Sequence, residues 1–114
     1  MTREIYVDGH RMSIKCSFRA SIEHNRCFGK SIIDDMSGLT NQSGGIDEEA
    51  LARLLWTCLK DAENEMPEFD EWCASVDWAD VMSPDTLSAL IDLLQKSRKT
   101  VSHAKKNRRR QTGK

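Results

Sequence analysis

The stretch from residue 47 to residue 60 reads DEEALARLLWTCLK. Its apolar residues recur at the spacing i, i+3, i+4, i+7 and i+8, which is the period of an amphipathic helix. These residues are Leu51, Leu54, Leu55, Cys58 and Leu59. Asp47 can cap the start of the helix, where Glu48 and Glu49 favour the positive end of the helix dipole. The pattern predicts a helix over residues 48–60 with one buried face.

The residues upstream of this helix follow a different period. Ile5 and Val7, and then Met12, Ile14, Cys16 and Phe18, alternate with polar residues. Asp8-Gly9 lies between the two runs, and this dipeptide is typical of a tight hairpin turn because Gly accepts a positive φ. We expect strands at about residues 3–8 and 11–17. A lone ribbon of two strands is marginal in water, so its apolar face must pack on something.

Two short helices are predicted between the ribbon and residue 47. The first begins near Arg19 and stops at Gly29, since Gly suits the left-handed position after a helix end. The second starts at Ser31, whose hydroxyl can cap it, with Asp34 near the positive end of the dipole. Residues 38–45 read GLTNQSGG and predict a loop that connects the ribbon half to the helical half.

Two more helices are predicted after residue 60. Pro67 fits the first turn of one of them, because its missing N–H costs nothing there. Its apolar stripe would consist of Phe69, Trp72, Cys73 and Val76. Ser83 can cap the other helix, whose buried face would consist of Leu87, Leu90, Ile91 and Leu94.

A chain of 114 residues with 39% hydrophobic content suits one modest core. The expected fold class is α+β and mostly α. We predict a β-hairpin at residues 3–17, then about five short helices within residues 19–99, packed as a single folded domain over residues 1–100. Residues 101–114 have low hydrophobicity and unopposed charge, so they predict a disordered basic tail.

The net charge of −1 conceals a strong separation of charge along the chain. Residues 47–92 contain thirteen acidic residues against Arg53 and Lys60, whereas the residues after Asp92 contain nine basic residues and no acid. Such a separation bears on partners and solubility before it bears on fold. No stretch reaches the length of about 18 apolar residues that a membrane helix needs, and no signal peptide is evident, so we expect a soluble cytosolic protein.

The cysteines are widely spaced and form no CxxC pair. We expect all four, Cys16, Cys27, Cys58 and Cys73, to be buried thiols, because free cysteine behaves as a small hydrophobe. A zinc site built from His10, Cys16, His24 and Cys27 is the alternative, although this set lacks a standard ligand spacing. The prediction is therefore that the chain has no metal site and no cofactor.

Three short patterns resemble catalytic or binding motifs but lack necessary parts. Gly29-Lys30-Ser31 resembles the end of a phosphate-binding loop, yet His24 stands where the motif needs Gly. The acidic turn at residues 61–65 resembles a calcium loop, but Met66 and Trp72 occupy the positions of its Gly and its bidentate Glu. No His lies near both a nucleophile and an acid in a recognisable signature. We expect a protein without enzymatic activity.

Two groups of residues are candidates for contacts with a partner. Phe69, Trp72 and Trp78 lie in the acidic segment, where an exposed aromatic ringed by acids would suit a basic amphipathic helix, although core packing is the alternative for at least two of them. The basic tail carries the other group, Lys105, Lys106, Arg108, Arg109 and Arg110. A solvated tail explains this second group without any partner.

The basic tail also leaves open a second class of function. A small nucleic-acid-associated regulator could use it as a phosphate anchor, with binding that weakens steeply as salt rises. The tail has no aromatic residue for stacking on bases, and the acidic body beside it would repel DNA or RNA. Nucleic acid is therefore not the expected partner.

The order of these features resembles the small tail assembly chaperones of long-tailed, siphovirus-like bacteriophages. The segments that carry the resemblance are the strand pair IYVDGHRMSIKCSF, the junction FGKSI, the helix ALARLLWTCLKDA and the closing helix SPDTLSALIDLLQKS. Together they cover about residues 4–100. The basic tail and the segment His24-Asn25-Arg26 depart from the family pattern.

The resemblance implies a binding protein that acts in the host bacterial cytoplasm during virion assembly and is absent from the mature virion. Its partners would be the tape measure protein, which it coats and keeps soluble, and the tail tube protein, which it helps to gather. The family has no catalytic residues to carry over. Many members also exist in a longer frameshifted form, for which Lys105-Lys106 is a candidate site. Self-association through the basic tail is a further expectation.

Overall fold

The computed structural model describes residues 2–40, 44–62 and 65–96. Within these residues an antiparallel hairpin is followed by six helices, as the predicted α+β class requires. The elements are β1 (Thr2–Val7), β2 (His10–Lys15), α1 (Phe18–Phe28), α2 (Ile32–Ser37), α3 (Glu48–Asp61), α4 (Phe69–Ser75), α5 (Trp78–Val81) and α6 (residues 84–96). The basic tail that we predicted for residues 101–114 lies outside the described residues.

The hairpin forms where the two-residue period predicted it. Asp8 and Gly9 both have positive φ, 54° and 77°, as a primed two-residue turn requires. The two strands pair in register from Thr2 with Lys15 to Val7 with His10. The strands end one or two residues earlier than the alternation predicted, because Asp8 belongs to the turn and Ser17 is the residue that precedes α1.

Helix α3 is the centre of the core. The five apolar residues that predicted it are all buried, and the helix contacts β2, α1, α2 and α4. The carboxylate of Asp47 accepts hydrogen bonds from the backbone N–H groups of Glu49 and Ala50, at 3.0 and 3.2 Å. The predicted cap and the predicted buried face are therefore both confirmed. Burying a Leu contributes about 1.5–3 kcal/mol, so this helix is the main source of stability.

The short helices around α3 begin and end mostly at the predicted residues. Gly29 ends α1 with a φ of 68°. Ser31 and Asp34 form a capping box at the start of α2, in which each side chain accepts a hydrogen bond from the backbone N–H of the other residue. Local signals sufficed here because a cap satisfies backbone groups within one turn of the chain.

The prediction that Pro67 lies in the first turn of a helix is wrong. Helix α4 begins at Phe69, with Glu68 in an extended conformation before it. The carbonyl of Pro67 instead accepts a hydrogen bond from the indole N–H of Trp56, at 3.1 Å. The one-turn helix α5 was not predicted, because four residues are too few to show a period.

The prediction of four buried thiols is also wrong. Cys58 is buried in α3, but Cys27 and Cys73 are exposed and Cys16 is half-buried. Cys27 and Cys73 lie on the outer sides of α1 and α4. These helices are so short that the apolar pattern did not distinguish the buried face from the exposed face. Hydrogen bonding with Cys16, burial and the negative charge of Asp61 raise the pKa of the Cys58 thiol well above its usual value.

The hairpin turn is held against α5 by carboxylates. The backbone N–H of Asp8 donates to Asp80 Oδ2 at 2.7 Å, and the backbone N–H of Asp77 donates to Asp8 Oδ1 at 2.8 Å. At the other end of the ribbon Arg3 pairs with Asp92 of α6. The apolar face of the ribbon, including Ile5, thus packs on the helices. Across residues 2–40, 44–62 and 65–96, no helix has both the length and the apolar composition that crossing a bilayer would require.

Candidate functional site

The main candidate site is an open groove of about 670 Å³ beside α3, which we call the aromatic groove. It is lined by the end of α1, the outer side of α3 and the segment that leads into α4. The lining residues are Cys27, Phe28, Lys30, Glu49, Arg53, Trp56, Lys60, Met66, Pro67, Glu68, Phe69 and Asp70. Three separate parts of the chain therefore build it.

Three aromatic rings form the floor of the groove. The ring centroids of Phe28, Trp56 and Phe69 lie 4.9–5.9 Å apart, and each pair meets edge to face. This is the favourable arrangement for aromatic pairs. Trp56 is only 5% exposed and is fixed by its hydrogen bond to Pro67, whereas Phe28 and Phe69 are half-buried and reach the surface. The floor is thus an apolar surface of packed rings.

A second hollow of about 270 Å³ lies next to the groove, between α1 and α3. The two hollows share Trp56 and Lys60. The Lys60 Nζ lies 4.9 Å from the centre of the Trp56 ring and 3.8 Å from Glu23 Oε2. From Glu49 to Asp61 the two hollows follow about 18 Å of α3, at 1.5 Å per residue. That length matches about three turns of a docked helix.

Two basic residues of the groove lining have acidic partners, whereas some of its acidic residues have no basic partner in the part of the chain that the structure describes. Among the cations, Arg53 is already paired with Asp35 at 2.8 Å and Lys60 lies near Glu23. Four exposed acids, which we call the acidic lip, lie in the segment that enters α4, and Glu68 and Asp70 among them line the groove. The four acids are Glu65, Glu68, Asp70 and Glu71. None of the four has an ion-pair partner among the described residues, and the sequence has no Lys or Arg between Lys60 and Lys96.

The structure separates the three aromatics that the sequence singled out. Phe69 lines the groove. Trp72 is 5% exposed and belongs to the core. Trp78 is half-buried against the core and does not line the groove. The basic residues 105–110 lie outside the described residues.

Sequence reasoning missed two of the three rings of the floor. Phe28 was overlooked because it is the last residue of a short helix, and Trp56 because it lies beside the main apolar stripe of α3. A Trp next to the buried face of a strongly amphipathic helix was the available signal. This signal does not specify which other elements pack against the Trp56 ring.

A buried polar network lies beneath the groove and joins α1, α2 and α3. His24 Nε2 donates to Asp35 Oδ2 at 2.6 Å, and His24 Nδ1 lies 2.9 Å from the hydroxyl oxygen of Thr57. Asp35 also accepts two hydrogen bonds from the guanidinium of Arg53, at 2.9 and 2.8 Å. The burial and pairing of Asp35 were not predicted. Asp35 follows Asp34, and two adjacent acids near a helix start are typical of a solvated surface.

The pKa shifts in this network follow from burial and pairing. Burial lowers the pKa of His24, an effect that the hydrogen bond to Asp35 only partly opposes. Burial also opposes ionisation of Asp35, but the hydrogen bonds from Arg53 and His24 outweigh it and lower the pKa of this carboxyl. At neutral pH the network therefore holds a neutral imidazole, a carboxylate and a guanidinium.

The order Thr57, His24, Asp35 resembles a catalytic triad, but its setting is that of a structural network. The imidazole and the hydroxyl are both buried, and the carboxylate is shared with Arg53. A nucleophile needs access to its substrate and donors for the developing oxyanion. Thr57 lines the second hollow but is only 2% exposed, and its hydroxyl contacts His24 of α1, which helps to hold α1 against α3.

The candidate zinc ligands do not come together. Among the described residues the group of three possible ligands within reach of one ion is Asp8, Asp77 and Asp80, and not the set His10, Cys16, His24 and Cys27. Asp8, Asp77 and Asp80 each accept a hydrogen bond from a backbone N–H, at 2.7–3.0 Å. These acids hold the hairpin turn on α5.

Comparison of the chain with protein-family models, curated proteins and solved structures found no match.

Proposed function

We propose that this protein is an assembly chaperone of a long-tailed bacteriophage, acting without enzymatic activity in the host cytoplasm. In this role it binds apolar stripes of the helical tape measure protein, keeps that protein soluble and promotes addition of tail tube protein. It leaves before the virion is complete. The observation that carries the proposal is the aromatic groove, whose length and apolar floor suit a client helix.

The physical problem that such a chaperone solves is self-association of the client. A long helical protein with exposed apolar stripes aggregates unless another surface covers them. An amphipathic helix laid into an apolar groove buries those stripes, and the contact is read through residues at helical spacing. Phe28 and Phe69 offer the required apolar surface, while the acids around them favour solubility of the complex.

The test uses two cysteine variants that differ only in position. Cys27→Arg introduces a charged, bulky side chain into the groove, whereas Cys73→Arg introduces the same side chain on an exposed part of α4 outside the groove. Both positions are exposed, so neither change disturbs the core. Each variant is produced together with the tape measure protein, and the soluble fraction of the client is measured.

We expect the wild type and Cys73→Arg to keep the tape measure protein soluble. Cys27→Arg should leave it aggregated, because docking of the apolar stripe would have to desolvate the guanidinium. Circular dichroism and thermal unfolding verify that both variants are folded. Equal client solubility with both variants, or no effect of the wild type itself, would contradict the proposal.

A further inference from the structure

The client chemistry that the groove selects can be inferred from the acidic lip, given the proposed function. We infer that the groove prefers a helix whose apolar stripe is bordered by Lys or Arg over one bordered by Glu or Asp. The preference would lie in the four carboxylates of the lip, Glu65, Glu68, Asp70 and Glu71. The apolar floor supplies contact area to either kind of helix.

The first support is the difference in pairing around the groove. Arg53 is bound on two atoms by Asp35, and Lys60 lies between Glu23 and the Trp56 ring. The charge of Arg53 is therefore satisfied within the protein, whereas the Lys60 side chain remains 46% exposed. The lip carboxylates are exposed and have no ion-pair partner among the described residues. At the segment that enters α4 the exposed charges of the groove are negative, whereas Lys30 and Lys60 supply positive charge on other parts of its lining.

The second support is the adjacency of the lip to the aromatic floor. Phe69 belongs to the floor, while Glu68 and Asp70 on either side of it belong to the lip. Lys and Arg have apolar stems that can cover an aromatic surface while their charged ends reach a carboxylate. A client residue at the border of the apolar stripe could make both contacts at once. A Glu or Asp there would meet like charges instead.

The test uses the full chain and two synthetic peptides of about 20 residues, which exceeds the three turns of the groove. Both peptides carry Leu at the same helical spacing. One has Lys at the border positions and the other has Glu. Binding is followed by tryptophan emission and by calorimetry at low and at high salt.

At low salt we expect the lysine peptide to bind about tenfold more tightly than the glutamate peptide, with a smaller ratio at about 0.5 M salt. The variant Glu68→Lys/Asp70→Lys should reverse the preference. The control Glu48→Lys/Asp85→Lys reverses two exposed acids that do not line the groove. The control should retain the wild-type preference. It should lose a similar amount of folding stability, because both pairs of acids lie at helix starts.

Equal affinity for the two peptides, or a reversal by the control variant, would overturn the charge selection. A preference that appears only after residues 97–114 are removed would also overturn it, since the chain's own basic segment would then be the occupant of the lip. These results would leave the proposed function standing, because the cysteine variants test client binding without changing any lip residue.

Discussion

At the scale of single residues, His24 is fully buried and both of its ring nitrogens have a partner. Its Nε2–H donates to Asp35, so the neutral ring can only accept at Nδ1, where the Thr57 hydroxyl lies 2.9 Å away. The hydroxyl also lies 2.8 Å from the Arg53 carbonyl, which already has a helical hydrogen-bond partner one turn later. The neutral imidazole thus satisfies every member of the network.

This environment predicts that the protein loses stability in mild acid. Because the pKa of His24 is lowered from 6.5, the unfolded chain binds a proton at a pH where the native state does not. The free energy of unfolding is therefore full above about pH 6.5 and falls as the pH drops from there toward the lower pKa that His24 has in the native state. The pKa of Asp35 is lowered from 3.8, so the free energy of unfolding falls a second time as the pH drops below about 3.8.

Urea unfolding between pH 7.5 and pH 5 measures the first of these losses, over a range set by the ordinary His pKa of about 6.5. His24→Gln should flatten the dependence on pH, whereas His10→Gln, at an exposed position of the hairpin, should retain it. If the His24 variant kept the full slope, the proton uptake would belong to another group.

At the scale of elements, the C-terminal end of α3 binds the start of α1. Its last residue, Asp61, accepts hydrogen bonds from the backbone N–H and the hydroxyl of Ser17, at 2.8 and 2.9 Å, and from Arg19 at 3.1 Å. Ser17 precedes α1 and makes no side-chain cap of its own. A carboxylate distant in sequence thus accepts the hydrogen bonds of the residue that precedes α1. This contact fixes α1 against α3 beside the second hollow, which Asp61 also lines.

The hairpin turn provides a prediction at the same scale. Gly9 has a φ of 77°, a region that costs an L-residue with a Cβ about 1 kcal/mol. Gly9→Ala should therefore lower the free energy of unfolding by about that amount. Gly38→Ala is the control, because Gly38 has a φ of −89° and its added Cβ would lie 3.6 Å from the Asp34 carbonyl oxygen. Equal losses in the two variants would refute the assignment to backbone strain.

At the scale of the whole molecule, acidic and basic residues are separated along the chain. Residues 61–95 contain ten acids and no base, whereas the residues after Asp92 contain only bases. Charges of opposite sign on separate segments attract each other within and between chains, more strongly at low salt. The same separation that favours a basic client also favours association of the chain with itself.

Removal of residues 101–114 tests this electrostatic association. At low salt we expect the full chain to sediment faster than the shortened chain, because the shortened chain lacks six of the nine basic residues after Asp92. At about 0.5 M salt the two should behave alike, since the Debye length falls to a few ångströms. Identical sedimentation at low salt would rule out association through this segment.

The sequence by itself determined the hairpin at Asp8-Gly9, the helix that begins at Asp47 and the capping box of Ser31. Each depends on periodicity or on hydrogen bonds within a few residues, so the local chain contains the whole signal. Only the tertiary structure decided that Phe28, Trp56 and Phe69 share a floor, that Asp35 is buried and that Trp72 is not available to a partner. Those outcomes follow from the way α1, α3 and α4 pack together, and no spacing along one element specifies which rings or charges from distant elements will meet.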